Sequence, residues 1–96
     1  MRVAVIGGGA SGLTAACTAA EQGAQVILLE AQPRVGRKLL ATGNGRCNLT
    51  NLEDGREHWH GADPAFVLPA LSAFGPLETL DFFRSLGLLT AEEPGG

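Results

Sequence analysis

Three groups of residues carry chemistry in this 96-residue chain. The first is Gly7-Gly8-Gly9-Ala10-Ser11-Gly12, in which Gly7, Gly9 and Gly12 stand at G-x-G-x-x-G spacing. Glycine at those places allows a tight turn, a close approach of backbone to ligand, and close packing of the following helix. The first helical turn, with Ala10 and Ser11, then offers unsatisfied N–H groups and about half a positive charge to a phosphate. The second is Glu30, 18 residues after Gly12. A carboxylate there accepts hydrogen bonds from adenosine ribose hydroxyls and repels a 2′-phosphate, which counts against NADP at this site. The third is Arg34, Arg37, Lys38, Arg46 and Arg56, five of the seven basic residues. They are either a solvated face or a local anion site.

G-x-G-x-x-G says little by itself; the elements around it give it meaning. Residues 2–6 are apolar and β-branched, as in a buried parallel strand. A helix is expected from Ala10 to about Gln22, with Gly12, Ala16 and Ala20 on one nearly side-chain-free face, Leu13 and Cys17 beside it, and Gly23 as its C-terminal cap. Gln25 to Leu29 read as a second strand ending in Glu30. The expected fold class is therefore α/β: the N-terminal βαβ of a Rossmann-like dinucleotide-binding domain, followed by helices. Two strands and one helix cannot cover both faces of a sheet, so the unit is expected to be incomplete and the rest of its own chain missing.

Gln32-Pro33 breaks the second strand, and residues 34–41 form a short helix or loop. The loop Thr42-Gly43-Asn44-Gly45-Arg46-Cys47-Asn48 is too rich in glycine and asparagine for a regular element. Its backbone N–H groups, amides and guanidinium suit phosphate oxygens or the polar edge of a flavin ring, or an ordinary surface loop. Residues 52–62 are a charged linker; His58 and His60 flank Trp59 without further ligands, so no metal site is expected. Asp63 and Pro64 open a helix bearing Val67, Leu71 and Phe74, bent at Pro69. Gly75-Pro76 open another with Leu77, Leu80, Phe83 and Leu86 as its stripe and Gly87 at its end. Residues 88–90 are expected to begin a strand.

Composition narrows the function classes. A net charge of −3 and 45% hydrophobic residues describe a globular protein and count against nucleic acid as partner. Cys17 and Cys47 lack metal or redox-dithiol spacing; the first is expected to pack as a small apolar residue. Three glycines interrupt what would otherwise look like a signal sequence, and no apolar run approaches the roughly 20 residues of a membrane span. The expectation is a cytoplasmic protein with no membrane partner.

The fingerprint alone does not separate FAD from NAD. The series Gly12, Ala16, Ala20, Gly23, Val26, Glu30 resembles the extended fingerprint of glutathione-reductase-like FAD-binding proteins, although Gly36-Arg37 replaces their usual Gly-Gly pair. Gly36-Arg37-Lys38-Leu39-Leu40, followed by residues 42–51, resembles the signature of bacterial NAD(P)/FAD-dependent oxidoreductases of the aminoacetone oxidase-like and 3-dehydro-bile-acid-reductase-like group. The resemblance implies a partial FAD-binding domain over 1–96: a βαβ unit at 1–30, a flavin-proximal loop at 31–51, a linker at 52–62, and a helical segment at 63–96 entering a second domain. It implies FAD as cofactor, with Gly7, Gly9, Gly12 and Glu30 on the ADP half. Arg37, Lys38, Thr42, Gly43, Asn44, Gly45, Arg46, Cys47 and Asn48 would run along the pyrophosphate towards the isoalloxazine. The implied reaction is hydride transfer from NAD(P)H through FAD to an organic small-molecule acceptor, in an enzyme several times longer; these residues alone are expected to be inactive. No catalytic residue is assigned. The competing readings are an NAD(H)-binding dehydrogenase module and a flavin-dependent RNA-modification module.

Overall fold

The computed structural model describes residues 1–42, 46–53 and 55–96, the side chain of Arg56 excepted. The chain divides into two units, Met1–Cys47 and Asn48–Gly96.

The first unit is built on β1 (Arg2–Ile6), α1 (Ala10–Glu21) and β2 (Gln25–Leu29). The strands pair in parallel, with Val3 opposite Val26 and Val5 opposite Leu28. These four apolar side chains share the half-covered face. The helix crosses over that face, as a parallel pair requires. Its approach is set by small residues. Gly12, Ala16 and Ala19 are half-covered, whereas Ala20 and Cys17 are exposed. The expected Gly12/Ala16/Ala20 face is thus corrected to Gly12/Ala16/Ala19. At about 100° per residue, Ala19 returns to within about 20° of Gly12, while Ala20 has rotated about 80° away.

The helix ends at Glu21, and Gly23 caps it with φ +88°. Its N–H donates to the Ala20 carbonyl at 2.9 Å, and the Ala24 N–H to the Ala19 carbonyl at 3.1 Å. This is the double bond of a Schellman ending. The first strand was expected to be buried; both strands are covered on one face only. Ile6, Ile27 and Leu29 on the other face are 77%, 60% and 52% exposed. Sequences of this type carry apolar residues on both faces because a doubly wound sheet has helices on both.

After β2 the chain turns through residues 31–36 into a one-turn helix, α2 (Arg37–Leu40). Gly36 enters it in the left-handed region, φ +68°.

In the second unit, a 3₁₀ turn at Arg56–His58 precedes a 3₁₀ segment, Pro64–Val67, that runs into α3 (Leu68–Ala73). Asp63 caps it as expected, its Oδ1 accepting from the Ala65 N–H at 3.2 Å. The helix α4 (Pro76–Ser85) opens with the Gly75 N–H donating to Glu78 Oε2 at 3.1 Å. Its half-covered side chains are Pro76, Thr79, Leu80, Phe82 and Phe83; Leu77 and Leu86 are exposed, at 68% and 55%. The expected stripe is therefore corrected: Phe82 replaces its two ends. Phe82 makes edge-to-face contacts with Phe74, at 6.1 Å between ring centroids, and with Phe83, at 5.1 Å. Residues 88–90 form no strand, contrary to expectation. Instead the Leu88 N–H donates back to the Phe83 carbonyl at 3.1 Å, which ends α4 about Gly87. Among the described residues, no single helix is long and apolar enough to cross a membrane.

Candidate functional site

The carboxyl ends of β1 and β2 and the first turn of α1 meet at one place. The Gly7 N–H donates to the Leu29 carbonyl at 2.7 Å, continuing the ladder one step past β1. Gly7 then turns the chain with φ +95°, outside the range ordinary side chains adopt. Gly12 allows the helix to come back onto that turn: a Cβ there would sit 1.8 Å from the Gly7 carbonyl oxygen. Gly9 is the N-cap residue and has no side chain to cap with. A Cβ on it would meet nothing within 4 Å, so the position faces open space.

The first bond inside the helix runs from the Leu13 N–H to the Gly9 carbonyl at 2.9 Å. The N–H groups of Ala10, Ser11 and Gly12 lie before it, and no acidic side chain stands in that turn. An α-helix of 12 residues thus presents its positive end without internal compensation.

Gly8, the middle glycine, is the residue that sequence reasoning missed. It is fully buried. A Cβ on it would lie 2.7 Å from Val35 Cγ1. Its N–H donates to Glu30 Oε1 at 2.9 Å, and its carbonyl accepts from the Gly36 N–H at 2.7 Å. Glu30 Oε2 accepts a second backbone N–H, from Gln32, at 2.8 Å. The Gln32 and Gly8 N–H groups, in that order, hold the Glu30 carboxyl below its ordinary pKa, because each bond favours the ionised form. Glu30 is thus an anion fixed at the end of β2, facing the turn that follows β1.

Beside them lies an open cleft of about 410 Å³, lined by Gly8, Gly9, Glu30, Gln32, Arg37, Lys38 and Ala41. Of the residues expected to bind a ligand, Gly9, Glu30, Arg37 and Lys38 come together here. Gly7, Ala10, Ser11 and Gly12 build the turn beneath. The Arg37 guanidinium is directed by Gln32, whose Oε1 accepts from Nη1 at 2.6 Å. Thr42 does not line the cleft; its hydroxyl closes α2 by donating to the Leu39 carbonyl at 2.7 Å. Arg46, Cys47 and Asn48 are exposed and follow no regular element. Gly43, Asn44 and Gly45 lie outside the described residues.

Gln32, Gly36 and Ala41 were given no ligand role by the sequence reading. The signal for Gly36 was present in its place two residues before Lys38. For Gln32 there was none, since its role depends on the fold of residues 31–37. Among the described residues, no three His, Cys, Asp or Glu side chains group as metal ligands, and no disulfide joins Cys17 to Cys47.

Backbone donors at a helix N-terminus, a fixed carboxylate, and two cations lining the same cleft can hold a phosphate-bearing, hydroxylated ligand. The family model described as the HI0933-like protein Rossmann domain matches residues 1–96. A 3-dehydro-bile acid delta(4,6)-reductase of Clostridium scindens is 52% identical over 96 residues, covering 98% of this chain and 24% of the relative. Ribosomal RNA dihydrouridine synthases of Haemophilus influenzae and Escherichia coli are 34% and 33% identical over 92 residues, each covering 96% of this chain and 23% of the relative. The chain therefore spans about a quarter of the length of the curated relatives it matches. The βαβ unit, its glycine turn and the match along the whole sequence make this chain a Rossmann-type nucleotide-binding domain of the HI0933-like family.

Proposed function

We propose that the chain is the FAD-binding part of a flavoprotein oxidoreductase that reduces an activated carbon–carbon double bond in a small organic substrate, with NAD(P)H as the source of reducing equivalents. One observation carries this reading: the ionised Glu30 carboxylate is held on the Gly8 N–H, 2.9 Å away, beside a helix end whose first N–H groups have no partner inside the helix. The residues fit the cofactor. The space at Gly9 that a Cβ would enter is open, as a pyrophosphate needs. The open lone pairs of Glu30 suit ribose hydroxyls, and its charge disfavours a 2′-phosphate, which leaves FAD or NAD(H) at this site.

On this reading Ala10, Ser11 and Gly12 hold phosphate oxygens through their N–H groups. Glu30 orients the ribose. FAD, when bound, supplies hydride transfer between a nicotinamide and the acceptor. The protein's part in these residues is to bind and orient; no residue here is assigned to substrate, so the 96 residues alone are inactive. The names of the relatives support the chemistry. One is a reductase of a 3-dehydro bile acid, and the other two make dihydrouridine in ribosomal RNA. Both products follow from adding two hydrogens across a double bond conjugated to a carbonyl. On this reading the place of action is the cytoplasm.

A second reading is an RNA-modifying enzyme, favoured by the two dihydrouridine synthase matches. The 52% identity to the reductase, against 34% and 33%, and the net charge of −3 support the small-molecule reading over this one. The test is to purify the full-length protein and record its visible spectrum. Anaerobic NADH or NADPH is then added, followed by a conjugated steroid enone or by unmodified ribosomal RNA. A flavin spectrum bleached by the nicotinamide and restored by the enone supports the proposal. Restoration by RNA alone selects the second reading, and a colourless protein that binds NADH selects a simple dehydrogenase.

A further inference from the structure

The two cations of the cleft differ in what else they line. Both Arg37 and Lys38 line the cleft with Gly8 and Gly9. Arg37 also lines a second hollow of about 350 Å³, bounded by Pro33 and Arg34. Gln32 holds Arg37 in this place. Its Oε1 accepts from Arg37 Nη1 at 2.6 Å, while its backbone N–H donates to Glu30 Oε2 at 2.8 Å. One residue thus ties the guanidinium to the acid.

With phosphates at Gly9 and ribose at Glu30, the purine of an ADP group would fall to the residues that follow Glu30, among which Pro33, Arg34 and Arg37 bound the second hollow. A guanidinium is planar, weakly hydrated and stacks on aromatic faces, and an ammonium is a point charge suited to phosphate. A proline ring supplies an apolar surface for the same base. We propose that Arg37, positioned by Gln32, recognises the adenine of the bound dinucleotide, and that Lys38 is the side chain that meets its pyrophosphate. The sequence reading had put both cations along the pyrophosphate and towards the isoalloxazine; here their roles divide. This assignment rests on the reading of the cleft as an adenine-dinucleotide site.

The test uses the full-length protein freed of cofactor, titrated with ADP and with FAD at low and at physiological salt. Arg37→Met weakens ADP about tenfold, the scale of one stacked base, and leaves the salt dependence unchanged. Arg37→Lys loses nearly as much, since it keeps the charge and not the plane. Gln32→Ala weakens ADP about threefold by freeing the guanidinium, a fraction of the same stacking contribution. Lys38→Met weakens ADP and flattens its salt dependence. The assignment is overturned if Arg37→Lys binds as wild type, or if Arg37→Met flattens the salt dependence as Lys38→Met does. A wild-type protein that binds neither ADP nor FAD overturns the cleft reading itself; one that binds both while Arg37→Met is unaffected overturns only the Arg37 assignment.

Discussion

Glu30 and Gly8 are 22 residues apart in sequence, and the carboxylate of one accepts the N–H of the other at 2.9 Å. The bond is a product of strand register. Ile6 lies opposite Leu29, and the ladder continues from the Gly7 N–H to the Leu29 carbonyl, which sets Gly8 against Glu30. The acid therefore does two things: it faces the cleft, and it holds the glycine turn in shape.

Replacing Glu30 by Gln tests both. The Glu30 pKa is lowered in the folded protein, so its ionised form contributes stability above the ordinary carboxylate range, and that contribution is lost as pH falls through the lowered value. The stability difference between wild type and Glu30→Gln is expected to be constant above about pH 5 and to shrink below it. Chemical denaturation at a series of pH values checks this. A difference that grows on acidification would sink it.

Gly12 and Gly9 are expected to separate fold from binding. Gly12→Ala drives a Cβ to 1.8 Å from the Gly7 carbonyl oxygen and costs about 3 kcal/mol or more, read as a lower melting temperature. Gly9→Ala meets nothing within 4 Å and has φ −83°, so it melts as wild type. Its added methyl nevertheless enters the phosphate space, and ADP binding falls at least about tenfold, or about 1.4 kcal/mol. Equal effects of the two on melting would show that Gly9 is only a folding residue.

Gly8→Ala should be destabilising and partly rescuable. The added Cβ lies 2.7 Å from Val35 Cγ1. Val35→Ala removes that methyl and leaves Val35 Cβ at 3.0 Å and Leu28 Cδ2 at 3.1 Å, so the double variant should recover about 1 kcal/mol, a part of the loss, relative to Gly8→Ala alone. A fully additive pair would mean that the strain lies against Leu28 or in the backbone and not against the Val35 methyl.

The bare sheet face predicts behaviour in isolation. Ile6, Ile27 and Leu29 form an apolar strip, each more than half exposed. The 96 residues expressed alone are expected to self-associate, and Ile27→Lys to reduce that association, as measured by sedimentation. An isolated wild-type chain that stays monomeric at high concentration would contradict this.

The sequence displayed the features that local chemistry controls. Apolar β-branched residues marked β1 and β2, Gly23 marked the end of α1, and Glu30 marked the end of β2. Features that depend on rotation or register were less visible. Ala20 and Ala19 are chemically identical, and the helical phase alone chooses between them. The role of Gly8 was hidden because an unnamed glycine between two motif glycines carries no sign of burial; its importance lies in what its N–H and carbonyl meet from β2 and α2. The pairing of Gln32 with Arg37 spans five residues of irregular chain, which no periodicity describes. Residues 88–90 are apolar enough for a strand, but the backward bond of the Leu88 N–H onto α4 takes the donor a strand would use.

The first turn of α1 grips with peptide groups alone, and peptide groups do not titrate, oxidise or change rotamer. On the proposed reading one half of the clamp is therefore indifferent to pH, while the other half, at Glu30, is lost only below the ordinary carboxylate range, because the Gln32 and Gly8 N–H groups lower its pKa. Strong acid would then loosen the sugar before the phosphates, and a bound dinucleotide would peel away from its nucleoside end.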